Sequence, residues 1–516
     1  MSHARGHRGG MILAALSILG LAACAGPQPP GTASSAPPRP GARGNPAVAR
    51  TQAPSAATVV LAGSAPDQLA AGAARQLFLS APVVVVSADD PVAVGAAAGD
   101  ARQVNAPLLL TAPAQAAVPP GVITPALRTE IRDLHPRDVL AVGVPAGVLA
   151  ARLPGIHVVA GTGALPVTAL PPPLSHVAVL VPPGDSAATT AVTETAQVAG
   201  ATVVPVHGDD PRADPTAIAA LSVAKPARIV AAGAGFGPAS VLAYRVAVAA
   251  TGVQLPGGGQ IVFPGRRLVA LYGHPGAPAL GALGQQDLPA SLARARQLAA
   301  SYRALSSVPV IPAFEIIATV ALGFPGPDGM YSGVSTVASL RPWVQRATSA
   351  GFYVVLDLQP GRANLLDQAK MYEPLLAMPD VGLALDAEWK LQPGQLPLQQ
   401  IGSVSIKEVN SVVSWLAGLT AEFRLPQKLL VLHQFRLSMI QQEQDLNADS
   451  DDLAIVVHMD GQGTQGVKQD TWNAITAAAP HGVFLGWKNF FTKDDPMLSP
   501  RGTMAKTPAP VMISYQ

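Results

Sequence analysis

Apolar residues along this chain fall into short runs separated by small-residue stretches. Residues 83–87 (VVVVS), 107–111 (PLLLT) and 139–142 (VLAV) each read as a strand buried on both faces. Residues 92–103 and 125–134 between them have helical character. This rhythm predicts βαβ units and parallel sheets over 57–256. From 257 onward the rhythm continues, but Trp, Tyr, Phe, Gln, Asp and Glu become commoner. Strands are expected at 268–272, 308–314, 352–356, 381–385, 429–432, 453–457, 482–485 and 511–515, with helical spacing at 340–350, 363–377 and 409–423. Eight βα units in about 250 residues predict a (β/α)8 barrel of the TIM type. The expected fold class is therefore α/β: tandem parallel βαβ modules over 57–256, then a C-terminal barrel over 257–516.

The first part contains an internal echo. Val139-Leu-Ala-Val-Gly143-Val-Pro-Ala-Gly147 parallels Ile229-Val-Ala-Ala-Gly233-Ala-Gly-Phe-Gly237, and Pro136-Arg137 and Pro226-Ala227-Arg228 precede them. Two tandem modules of roughly 90 residues follow from that period. Residues 83–148 resemble the type 2 cell-wall-binding repeat of Gram-positive bacteria. The resemblance rests on the strand ending in Ser87-Ala88-Asp89, the small-residue helix, Asn105-Ala106-Pro107 before Leu-Leu-Leu-Thr111, and the turn at Gly143-Val144. Residues 175–250 match it more loosely. The resemblance implies attachment to envelope polymers. The glycines at 233, 235 and 237 lack the G-x-G-x-x-G spacing of a dinucleotide site.

At the front, Arg5 and Arg8 precede an apolar run at 11–21, of signal-peptide length and too short to span a bilayer. The run ends in Leu21-Ala22-Ala23-Cys24, which resembles the lipobox of bacterial lipoproteins. That resemblance implies cleavage after residue 23, lipid on Cys24 (palmitate among the acyl chains) and a membrane anchor on the extracytoplasmic face. Cys24 is the single cysteine, so neither an internal disulfide nor a cysteine zinc site can form. Residues 25–56, dominated by Pro, Gly, Ser and Ala, read as a disordered tether. As a whole the chain resembles an actinobacterial-type lipoprotein.

Candidate chemistry clusters where a barrel keeps its site, at the carboxyl ends of the strands. Tyr272 and His274 follow the first predicted strand, Glu315 the second, Asp357 and Gln359 the third, and Asp386 and Glu388 the fourth. His433 and Gln434 follow the fifth, His458 and Asp460 the sixth, Trp487 and Lys488 the seventh. In 381–389 (VGLALDAEW), alternation sends Leu383, Leu385 and Ala387 toward the helices and Ala384, Asp386 and Glu388 into the barrel. Two carboxyls roughly 6.5 Å apart along a strand in a dry mouth cannot both ionise easily, so one holds its proton. A proton-holding acid beside an ionised partner suits glycoside cleavage. Asp386-Ala-Glu388 on the fourth strand also resembles the family 25 lysozymes. That resemblance gives Glu388 the acid role, Asp386 an assisting role, and Asp460 support of substrate or water. Asp357, Glu315, His433, His458, Trp389 and Trp487 are the expected substrate contacts. Lys390 and Arg362 offer Asp386 an alternative, purely structural ion network.

Composition narrows the classes. Net charge is +2, from 34 basic and 32 acidic residues, and only 13% of residues are charged, so no dense basic face for nucleic acid is available. No Gly-x-Ser-x-Gly elbow or P-loop occurs. Asp445-Leu-Asn447-Ala-Asp449-Ser-Asp451 starts like a calcium loop, but Ser450 stands where glycine is required, so it reads as a solvated acidic loop. No cofactor or metal is called for. The expected protein is a membrane-anchored envelope lipoprotein whose partner is a cell-wall glycan or other polysaccharide. Its barrel either binds and hydrolyses that glycan or is a degenerate, non-catalytic scaffold.

Overall fold

The computed structural model describes residues 46–113 and 122–516. The signal segment, Cys24 and the tether up to residue 45 lie outside the described residues. The N-terminal strands are β1 (Thr58–Leu61), β2 (Val83–Ser87), β3 (Leu108–Leu110), β4 (Asp138–Val142), β5 (His157–Val159), β6 (Val177–Val181), β7 (Thr202–Pro205) and β8 (Arg228–Ala232). They build two four-stranded parallel sheets, ordered β3-β2-β4-β5 and β7-β6-β8-β1. Both sheets share one order, but the second takes its fourth strand from the front of the chain. Thr58 pairs with Ile229 and Leu61 with Ala232. The tandem modules are thus interlocked, the second being completed by a strand that precedes the first.

Residues 46–56, expected as tether, belong to the fold. Residues 47–48 pair with 168–169, and 50–51 with Phe78–Ser80. Ala49 between them is buried. Backbone pairing with two exposed edges orders a segment whose composition alone reads as coil. The helices follow local rules. Pro66, Pro91, Pro125 and Pro215 stand at first positions, where a missing N–H costs nothing. Asp90, Thr124, Ser186 and Asp214 accept hydrogen bonds from first-turn amides. Val84, Val86 and Val139 of one sheet share a core with Val177, Val179 and Val230 of the other. The modules therefore stabilise each other by common burial.

The barrel strands are β9 (Arg267–Gly273), β10 (Val310–Ala321), β11 (Tyr353–Leu358), β12 (Val381–Asp386), β13 (Lys428–Gln434), β14 (Leu453–Met459), β15 (Phe484–Asn489) and β16 (Met512–Tyr515). All eight run parallel, and β9 closes the ring by pairing with both β10 and β16. Helices such as Val337–Thr348 and Ile406–Glu422 cover the outside, where Leu383 and Leu385 pack with Val409, Val412 and Leu416. Inside, the alternation of each strand stacks residues in layers. Leu268, Tyr353, Leu429 and Met512 lie low, and Ala270, Val355, Ala384 and Val431 above them. The next inward positions carry Tyr272, Glu315, Asp357, Asp386, His433, His458 and Lys488. Among the described residues no helix is long and apolar enough to cross a membrane.

The end opposite this polar layer is sealed by Leu255, Val262 and Phe263 from the connection between the two parts. Beside the seal, Arg212 is 1% exposed. Its Nη2 lies 2.7 Å from Asp210 Oδ2 and 2.9 Å from Asp451 Oδ2, and its Nη1 donates to the Asp451 carbonyl at 3.0 Å. Arg245 Nη2 reaches Asp451 Oδ1 at 2.8 Å, and Tyr244 donates to Asp452. The acidic loop expected to be solvated thus ends in two carboxylates that bind the second module. Arg212→Ala would leave Asp210 and Asp451 half-buried with one cation between them. It should lower unfolding stability by about 3 kcal/mol, measured by urea denaturation. A loss below about 1 kcal/mol would place this cluster among ordinary surface pairs.

Candidate functional site

A cavity of about 770 Å³ opens at the carboxyl ends of the barrel strands. Tyr272, Asp386 and Lys488 reach its floor from β9, β12 and β15, and Glu388, Trp389 and Asp460 from the loops just beyond β12 and β14. Alternation places Asp386 inward, as expected. Glu388 does not continue that alternation, because β12 ends at Asp386 and residues Ala387–Trp389 turn in a 3-10 helix. The Glu388 amide donates to Asp386 Oδ1 at 3.3 Å, so the aspartate caps the turn that presents the glutamate.

Beneath the floor lies a buried ionic chain. His433 Nε2 is 2.8 Å from Glu315 Oε1, and its Nδ1 is 3.1 Å from Asp460 Oδ2. Lys488 Nζ lies 3.1 Å from Asp460 Oδ1 and 3.6 Å from the centre of the Tyr272 ring. Tyr272 donates to Asp357 Oδ2 at 2.8 Å and receives Gln359 Nε2 at 3.3 Å. With a carboxylate at each ring nitrogen, His433 is an imidazolium. Burial alone would lower its pKa, but Glu315 and Asp460 raise it well above the usual value. Burial likewise works against the Asp460 anion, yet Lys488 and His433 hold its pKa below the usual carboxylate range. His458 goes the other way. Burial pushes it down to about 4, so it is neutral, stacked 5.3 Å from His433 and bonded to Ser514. Gly486 admits this ring, since a Cβ there would lie 2.8 Å from His458 Nδ1.

The other acids respond to the same charges. Asp386 is pushed well above the ordinary carboxylate value by burial, then by Asp357 and Asp460. Burial and the Asp460 charge raise Glu388 to about 7, against the pull of Lys488 and His433. Asp357 rises to about 6 through burial and Glu315. Two proton-holding carboxyls therefore face the cavity beside one fixed anion. The structural pairing of Asp386 with Lys390 or Arg362 does not occur. Lys390 Nζ goes to Glu408 at 2.8 Å, and Arg362 Nη2 to the Gln395 carbonyl at 2.8 Å.

No family model matches the chain, and no curated protein matches it. Among solved structures, Cwp6 from Clostridium difficile is similar at 12% identity with a TM-score of 0.30. The alignment covers 59% of this chain and 62% of that one, so it spans under two thirds of that protein's length. A likeness of this size carries no argument about the chemistry of the mouth.

Of the expected site residues, Glu388, Asp386, Asp460 and Trp389 line the cavity. Glu315, Asp357, His433 and His458 are brought together but lie under the floor, fully buried, and touch the cavity only through their neighbours. They lie behind the cavity-lining residues and are not part of the lining. Trp487, also expected there, faces the other way. It is fully buried against Trp472, with ring centres 5.6 Å apart, and its Nε1 donates to Asn489. Alternation requires this, because Lys488 beside it points inward. Arg436, Lys493, Phe435 and Phe490 also line the cavity. They sit in loops past the strand ends, where strand periodicity gives no signal.

A carboxyl with a raised pKa stabilises the fold while it is protonated. The contribution of Glu388 is present below its unfolded value of about 4.5 and is lost as pH rises through about 7. Asp386 and Asp357 act in the same direction. Glu388→Gln should therefore flatten, without abolishing, the fall in stability between pH 4.5 and 7. Denaturation midpoints across that range check this; parallel curves would place the Glu388 carboxyl in ordinary solvent.

Proposed function

We propose that the protein is an envelope lipoprotein whose barrel binds a glycan and cleaves it by acid catalysis from Glu388. The observation that carries this reading is a cavity-lining glutamate kept protonated near neutral pH by burial and the fixed Asp460 anion. Tyr272, Gln359 and Asp386 supply hydrogen-bonding groups for sugar hydroxyls, and Trp389 supplies a ring face on the wall. In the reaction, the bond between the anomeric carbon and the leaving oxygen breaks as Glu388 gives that oxygen its proton. One water adds to the anomeric carbon, and its proton restores Glu388. Lys488 and His433 keep Asp460 ionised through this cycle, so the negative potential that loads Glu388 is renewed at each turnover.

A second reading has its own support. Both Asp460 oxygens are already engaged by cations, which leaves little free basicity to activate water. On that reading the barrel holds glycan without cleaving it. The two separate on incubation of the purified protein with peptidoglycan and simple polysaccharides. Acid catalysis is worth about 10²–10⁴-fold, so Glu388→Gln should nearly abolish product formation while circular dichroism is unchanged. Asp386→Asn should lower it less. Retained turnover in Glu388→Gln would remove the acid assignment, and glycan binding without turnover in the wild type would favour the scaffold.

The location rests on Leu21-Ala22-Ala23-Cys24 after the apolar run. Cys24→Ala should leave the protein uncleaved or shed from membranes on fractionation. Processed, membrane-bound Cys24→Ala protein would end the lipid-anchor reading.

A further inference from the structure

The lip of the cavity carries unpaired positive charge above a floor whose ionic charges pair with one another. Its titratable lining comprises Asp386, Glu388 and Asp460 with Lys488, Arg436 and Lys493, besides Tyr272. The Asp460 charge is cancelled at contact distance by Lys488 and His433. Glu388 holds its proton up to about pH 7, and burial together with Asp357 raises Asp386 well above the ordinary carboxylate value. Arg436 and Lys493 have exposed side chains, and among the described residues neither has a carboxylate within ion-pair distance. The acids nearest Lys493 in sequence do not neutralise it. Asp494 is taken by Lys468 Nζ at 2.6 Å and by the Phe490 amide, and Asp495 forms no ion pair.

We propose that the sugar bound at this mouth is anionic, and that Arg436 and Lys493 receive its carboxylate or phosphate while the ring lies among Trp389, Phe435 and Phe490. The proposal rests on the glycan reading and specifies its substrate class. Arg436 presents a planar fork suited to two oxygens of one anionic group, and Lys493 a point charge on the lining of the same cavity. The aromatic wall contributes contact area without charge. A neutral glycan could accept hydrogen bonds from both cations but would leave their charge uncompensated.

Titration calorimetry on the purified protein at low ionic strength tests it with three probes of matched length. These are an oligogalacturonate, a glycerol phosphate oligomer and a neutral cello-oligosaccharide. At least one anionic probe should bind about tenfold more tightly than the neutral one, and that advantage should vanish in high salt. The probe preferred tells carboxylate from phosphate. Arg436→Gln with Lys493→Gln should remove the advantage while leaving circular dichroism unchanged, and Arg436→Glu should reverse it. Equal binding of neutral and anionic probes overturns the proposal and leaves the glycan reading standing. An anionic preference untouched by the variants overturns the assignment to these two residues. Binding of none of the three removes the glycan reading, and this proposal with it.

Discussion

Everything at the barrel mouth depends on one buried imidazolium. His433 sits between Glu315 and Asp460 in an interior that water does not reach, and its charge permits both carboxylates to stay ionised there. Lys488 completes the neutralisation from β15. Because Asp460 is thereby fixed as an anion, the two acids beside it face a standing negative charge in a medium of low polarisability. Their cheapest response is to keep their protons. The proton on Glu388 thus follows from its burial and from the Asp460 anion, which His433 holds ionised from below the cavity floor. Neutralising His433 would leave Glu315 buried without its cation and Asp460 with Lys488 alone.

The two ends of the barrel have separate duties. One end is capped by Val262 and Phe263 and gripped through Asp451 and Asp452 by the second module. The other bears the cavity. The N-terminal part is therefore joined at one end, while the loops around Trp389, Arg436 and Lys493 lie at the other. Loop variation at the mouth can change what is bound without disturbing the joint, an economy common to barrels of this type.

Much of this was legible in the residues. Apolar runs of strand length located all eight barrel strands, because an interior strand buried on both faces has no room for polar interruption. The period of two correctly sent Leu383 and Leu385 outward and Ala384 and Asp386 inward. The same period, applied to Trp487 and Lys488, forbids both from facing the mouth; chemical appeal to a tryptophan masked a geometric veto. Glu388 was recognised, but for an incomplete reason, since a turn and not the strand presents it. Arg436, Lys493, and the grip of Asp451 and Asp452 lay beyond local reasoning. Loop residues have no period, and partners more than two hundred positions apart leave no mark on the sequence around either one.

The exchanged strand β1 has a consequence for how this protein can change. In a simple array each unit closes on its own neighbours, and units can be gained or lost one at a time. Here Thr58 waits for Ile229, across about 170 residues, so the sheet closes around everything between them. Loop entropy charges little for the distance, about 1 kcal/mol more than for a gap of fifty residues. What the arrangement imposes is a topological lock. Removing the first unit would bring β1 nearer its partner but strip the shared core, and removing the second would leave β1 as an unpaired edge. The pair has become a closed set of two, unable to lengthen into an array by duplication of either member.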